Sequence, residues 1–282
     1  MSIDRRVIFL LLGFIALYLP SYIGLSNKVW TESDEMHGPI VLAVAVWALW
    51  SMRDKLAQTF GAGTQVAWLF FAFGLFCYFI GRTLDILVLE IGSQLFILSG
   101  CLLLLGGWRA LRLAAFPMAF LVFLIPLPGN LVDTLTGSLK QVVSSVAENI
   151  LYFAGYPVAR SGVVLSVGPY QLLVADACSG LKSMFSLSAM GFLYIYLMQH
   201  TSWVRNGLLI AALIPIAFLA NVVRVMVLIL VTYHFGDAAG QGFVHDAAGI
   251  VLFVVAILFL GVLDGLIGAK VWQRLFRGHA ST

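Results

Sequence analysis

The sequence predicts an all-α polytopic membrane protein with an outer amphipathic helix and a short β-hairpin, and three observations predict it. Hydrophobic residues make up 61% of the 282 and charged ones 10%, against about 45–50% and about 25% in a soluble domain. Apolar runs recur that approach or reach the ~17–25 residues needed to cross a ~30 Å hydrocarbon core, and they number about eight. Lysine and arginine alternate between the two sides as cytoplasmic loops that retain them require.

The runs lie at 7–25, 36–52, 66–81, 84–106, 110–127, 182–198, 206–226 and 244–268. The first follows Arg5-Arg6, as a signal peptide would, but "IALYLPSYIGLSN" offers no Ala-x-Ala cleavage site, so it reads as a retained span. With the N-terminus inside, the inner segments hold Arg5, Arg6, Arg53, Lys55, Arg109, Arg112, Arg205, Lys270, Arg274 and Arg277. Most acids fall outside. Both termini are then cytoplasmic, in a bacterial inner membrane, and the net charge of +3 reflects this asymmetry and argues nothing for nucleic acid.

The largest non-spanning stretch, 128–181, is expected outside as an insertion in a single domain covering 1–282. Within it Leu131, Leu135, Leu139, Val142, Val143, Val146 and Ile150 recur at intervals of three and four, the period of an amphipathic helix lying on the membrane surface or capping the bundle. "GVVLS" and "QLLVA" then flank "VGPY", which predicts a hairpin ending just before Cys178.

Three cysteines separate by surroundings. Cys77 and Cys101 sit mid-span among apolar neighbours, where a thiol behaves as a small hydrophobe. Cys178 stands in "ADACSGLKS" at the outer mouth of the sixth span, with Ser179 and Gly180 opening the next helix and Lys182 four residues on. A helix N-terminus and a nearby cation favour the thiolate, which is the nucleophilic form. Local sequence alone leaves a packing role for Cys178 equally open.

Two further polar residues reach the same depth. Arg224 lies in "FLANVVRVMVLILV", and an intramembrane arginine costs at least about 2.5–3.5 kcal/mol on insertion scales, which marks a functional position by default. Eighteen steps of about 1.5 Å from Asn206 carry it about 27 Å across the bilayer, close to the outer surface. His245 opens the eighth span from that side. A thiolate, an imidazole and a guanidinium at one water-accessible face can run acyl transfer as nucleophile, proton shuttle and oxyanion donor. Each has a rival reading. Arg224 could pair with Asp176 or Asp237, or reach lipid phosphate; His234 and His37 compete with His245. No Cys/His pair has zinc-ligand spacing, and no cofactor is expected. A transporter with Arg224, Asp85 and Glu90 along a path is the alternative class, disfavoured by the absence of an inverted repeat.

"ACSGLKS" at 177–183, "NVVRV" at 221–225 and "HDAAG" at 245–249, in that order, resemble the motifs of the exosortase/archaeosortase family of membrane sorting enzymes. "MHGPIVL" at 36–42 and residues 126–151 are similar to that family's N-terminal and pre-cysteine regions, so the resemblance covers most of the chain. It implies a cysteine endopeptidase or transpeptidase acting on membrane-anchored proteins that end in a short PEP-CTERM motif, a transmembrane helix and a basic tail. It further implies Cys178, Arg224 and His245 as the catalytic set, with Lys182, Asn221, His37, Asp176, Ser179 and Gly180 in support. The family often has arginine where Lys182 stands, and lysine lacks the guanidinium fork. The acceptor of the cleaved product is not implied.

Overall fold

The computed structural model describes residues 5–30, 38–126, 129–173, 181–200, 202–241 and 253–268, which pack as two compact units, Met1–Pro128 and Gly129–Thr282.

In the first unit, α1 (Arg5–Lys28), α2 (Gly38–Ser51), α3 (Arg53–Ala57), α4 (Val66–Thr83), α5 (Leu87–Leu113) and α6 (Ala115–Phe120) follow one another, and a 3₁₀ turn (Leu121–Leu124) ends the series. A bilayer offers no water to a backbone amide, so apolar stretches of this length satisfy themselves as helices. α4 and α5 form an antiparallel hairpin whose turn holds Asp85 at φ 55°. Glycines set its spacing: a Cβ at Gly74 would meet Ile97, and one at Gly81 the backbone of Glu90. Small residues at such contacts let helices approach closely without hydrophobic drive.

The expected break between the fourth and fifth spans is not a loop. α5 runs through it to Leu113, kinked at Gly107 with φ 62° and ψ −157°. The amides of Gly61 and Thr64 donate to the carbonyls of Leu105 and Leu103 at 2.9 and 3.0 Å. These are acceptors that an interrupted helix leaves unfilled. The outer surface is apolar: Phe9, Leu12, Ile15, Leu19 and Ile23 on α1 are each at least half exposed. Exposed Trp50, Trp68 and Trp108 stand near helix ends that the charge pattern assigns to the cytoplasm, as an interfacial aromatic belt does.

The second unit opens with α7 (Gly129–Phe153), followed by β1 (Val158–Ser161), β2 (Val164–Val167) and β3 (Tyr170–Leu173), then α8 (Leu181–Met198), α9 (Trp203–Phe235), α10 (Asp237–Gln241) and α11 (Phe253–Gly268). The predicted hairpin is β2–β3, and β1 adds a third antiparallel strand in the order β1-β2-β3. Each connection is a two-residue loop led by a glycine with positive φ, Gly162 at 64° and Gly168 at 56°, the placement a type II′ hairpin turn requires. On α7 the buried stripe is Val143, Ala147 and Leu151, whereas Val142 and Ile150 of the expected stripe are about half exposed. α7 therefore packs on the sheet and α9, with a second apolar face left outward.

α9 is continuous for 33 residues, so 225–236 extends the seventh span as expected, and it ends at Gly236 with φ 89°. Two apolar clusters share it. Leu209, Leu213, Ile216, Ala217 and Ala220 pack with Leu187 of α8 and Ala256 and Leu260 of α11. Farther along, Val222, Val225, Leu228 and Ile229 pack with Val143, Ala147 and Leu151 of α7 and with Val158, Leu165, Val167 and Leu172 of the sheet.

Among the described residues, α1, α4, α5 and α9 are long and apolar enough to cross a membrane. Shorter apolar helices at Gly38–Ser51, Ala115–Leu124, Phe185–Met198 and Phe253–Gly268 stand where the remaining spans are expected. The fold is all-α and polytopic apart from the small sheet.

Candidate active site

α9 brings Asn221 and Arg224 together. Three residues apart, they share one face of the helix, and they stand where the bundle cluster ends and the cluster under the sheet begins. Asn221 is 1% exposed and Arg224 6%. A guanidinium so enclosed is not reaching out to lipid phosphate, the snorkelling alternative. No hydrogen bond or ion pair ties Arg224 to another described residue. Measured along the axis at 1.5 Å per residue, Arg224 lies about 32 Å from Trp203 and about 16 Å from Phe235.

Lys182 belongs to the first turn of α8. Cys178, Ser179, Gly180 and Asp176 fall in 174–180, and His245 and His37 in 242–252 and 31–37, all outside the described residues. The flanking elements are described. β3 ends at Leu173 and α8 begins at Leu181, and both pack against α9; α11, which follows the His245 segment, packs on α9 as well. The chain segments bearing Cys178 and His245 are thus bounded by elements that rest on the helix bearing Arg224.

His234, the rival histidine, stands on the last turn of α9, exposed, with its ring edge-on to Tyr156 and Tyr233 at 6.0 and 5.1 Å between centroids. Ten residues of helix separate it from Arg224 by about 15 Å. That is too far for both to serve one carbonyl.

Two polar clusters were not foreseen. In the first unit Glu90, 2% exposed, accepts hydrogen bonds from Ser21 and from Arg82 Nη1 at 2.9 Å, while Tyr18 pairs with Ser93 and Tyr22 donates to Gln94. Glu90 is therefore tied into helix packing, and Asp85 sits in an exposed interhelical turn, so neither lines a path in the way the transporter alternative requires. In the second unit Asp264 of α11 accepts from Arg205 Nε at 2.7 Å and Tyr194 Oη at 3.1 Å, with His200 Nε2 at 2.9 Å. Arg205 Nη2 adds a bond to the Asp264 carbonyl at 3.1 Å. This clamp joins α8, the turn after it, α9 and α11 at the end of α9 opposite Arg224. A lone acid in an apolar helix is conspicuous in the sequence, but its partners, 59 to 70 residues away, are not.

No group of three or more described His, Cys, Asp or Glu side chains is placed to hold a metal ion. No curated protein and no solved structure matches the chain. Residues 29–262 match the family described as Transmembrane exosortase. That match runs through both compact units and includes the Cys178, Arg224 and His245 motifs, and the chain accordingly belongs to the transmembrane exosortase family, membrane proteins of protein sorting.

Proposed function

We propose that this exosortase is a thiol endopeptidase or transpeptidase of the bacterial inner membrane that cuts the C-terminal sorting signal of exported, membrane-anchored proteins. The observation that carries this reading is Arg224, buried at 6% exposure yet unpaired with any described residue, on the helix against which the elements on either side of Cys178 pack. A guanidinium with no anionic partner among the described residues is suited to receive negative charge that appears during a reaction.

In the reaction proposed, the Cys178 thiolate adds to the scissile carbonyl carbon and the oxyanion accepts hydrogen bonds from the Arg224 guanidinium. The protonated His245 imidazole gives its proton to the leaving nitrogen, the C–N bond breaks, and an acyl thioester remains on Cys178. An incoming amine or water then yields its proton to His245, attacks the thioester and expels the thiolate. Lys182 and Asn221 support binding, and Ser179 and Gly180 shape the turn after the nucleophile. No cofactor enters. The substrate's apolar helix lies in the bilayer with its basic tail held in the cytoplasm, so docking in two dimensions brings the scissile motif to the height of Cys178. The bias of lysine and arginine carries this orientation, with the sheet and α7 on the periplasmic side.

A membrane-impermeant maleimide should label Cys178 but not Cys77 or Cys101, and labelling should stop processing of a reporter carrying the tripartite signal. Cys178→Ala should abolish processing with the protein inserted at normal abundance. Full processing by Cys178→Ala would overturn the reading.

A further inference from the structure

Among the described residues, the register of the small sheet leaves one edge unfilled. Val167 and Tyr170 close the Gly168-Pro169 loop as a hydrogen-bonded pair, so bonded pairs alternate from there and Leu165↔Leu172 is the next. Tyr170 and Leu172 therefore spend their amides and carbonyls on β2, while Gln171 and Leu173 direct theirs to the opposite side. β2 is filled on both sides, because Val164 and Ser166 pair with β1.

The two edges of the sheet differ. On β1, the outward amide of Val158 is taken by the Tyr156 carbonyl at 2.9 Å, and Pro157 precedes it. Arg160, next along that edge, donates to Glu148 and to the Gly162 carbonyl. Proline, a charged side chain and a local hydrogen bond are the usual means of closing an edge strand to partners. β3, which Pro169 precedes in the same way, has neither the charged side chain nor the local hydrogen bond. Tyr170–Leu173 has no charge, no proline and no bulge, and no described residue pairs with its outer side. It is also firmly seated, since Leu172 is buried in the cluster shared with α7 and α9, while Gln171 is exposed.

This open edge ends five residues before Cys178, a distance that extended chain bridges in at most about 17 Å. We infer that the outer edge of β3 binds the segment of substrate next to the scissile bond as an added, extended strand, an assignment that rests on the thiol-peptidase reading above. Pairing through the main chain at Gln171 and Leu173 fixes direction and register while placing few demands on substrate side chains. It also holds the peptide extended, the conformation that exposes a carbonyl to a thiolate.

In the full-length Cys178→Ala protein in membranes, a photoreactive benzoylphenylalanine in place of Gln171 should crosslink a signal-bearing reporter beside its cleavage site. The same group in place of Ala159, on β1, should not. Separately, in the active protein, Gln171→Pro removes an amide that β2 does not use and should lower processing tenfold or more, and at least fivefold more than Gln171→Ala, which keeps that amide. Equal crosslinking from both positions, crosslinking from 171 only to a second copy of the chain, or unimpaired processing by Gln171→Pro would each overturn the inference. If Gln171→Pro does not accumulate, the crosslinking result decides alone. Retained processing by Cys178→Ala would instead sink the nucleophile and leave the strand-docking result standing.

Discussion

Arg224, two-thirds of the way along α9, and Asp264 of α11, clamped to the first turn of α9, illustrate two fates of a charge in a membrane. Asp264 is saturated by Arg205, Tyr194 and His200, so its carboxylate is structural. Asp264→Asn leaves the Arg205 guanidinium uncompensated and should destabilise the protein by about 3 kcal/mol, the cost of breaking a buried pair, read from thermal unfolding in detergent. Arg224 has no such partner among the described residues, and its replacement should act on turnover instead. Arg224→Lys keeps the charge and loses the planar fork, so processing should fall at least a hundredfold while the protein accumulates normally. His245→Ala should be as severe and His234→Ala mild, because about 15 Å of helix separates His234 from Arg224. Loss at His234 with activity retained at His245 would move the proton shuttle upstream. These residues were legible in sequence because a polar side chain inside an apolar run is conspicuous. The Glu90 and Asp264 clusters were not, because their partners lie 59 to 70 residues away for Asp264 and 69 for the Ser21 bond to Glu90, a separation that no local pattern records.

Elements were read best where one period dominated. The continuous apolar run of α9 and the Gly-Pro turn of β2–β3 predicted what is found. β1 was missed, since "VARS" offers one apolar position that is buried and three that are exposed, and a four-residue edge strand gains its stability from β2 rather than from its own pattern. On α7 the sequence period was right but the stripe too wide, because helix periodicity alone cannot say which of two adjacent apolar rows faces protein and which faces lipid. At α5 the boundary expected between the spans 84–106 and 110–127 is a kink at Gly107. Gly107→Ala would force a side chain into positive φ and against the Ala62 carbonyl, and should cost about 2 kcal/mol, within the range for such backbone strain. Gly13→Ala, where a Cβ meets nothing, is the matched control, and comparing their melting temperatures checks the claim.

For the whole molecule, the proposed orientation rests on the bias of lysine and arginine, since exposed tryptophans mark an interface but not which side it faces. A cytoplasm-dependent fluorescent reporter fused after Gly168 should stay dark, and one fused after Gln58 should glow. A bright fusion at Gly168 would invert the topology and put the sheet on the wrong side for the proposed substrates.

α9 is 33 residues long, or about 50 Å at 1.5 Å per residue, well beyond the ~30 Å hydrocarbon layer it crosses. On the proposed topology its last turns stand clear of the bilayer where they meet the sheet, and α9 is the post that sets the height of Arg224 above the Asp264 clamp. A substrate helix has no such post and rides at whatever height its own hydrophobic match dictates. In the proposed reaction lipid thickness thereby becomes a ruler between the two, and lengthening the acyl chains should displace the scissile bond relative to the guanidinium without altering a residue of either protein.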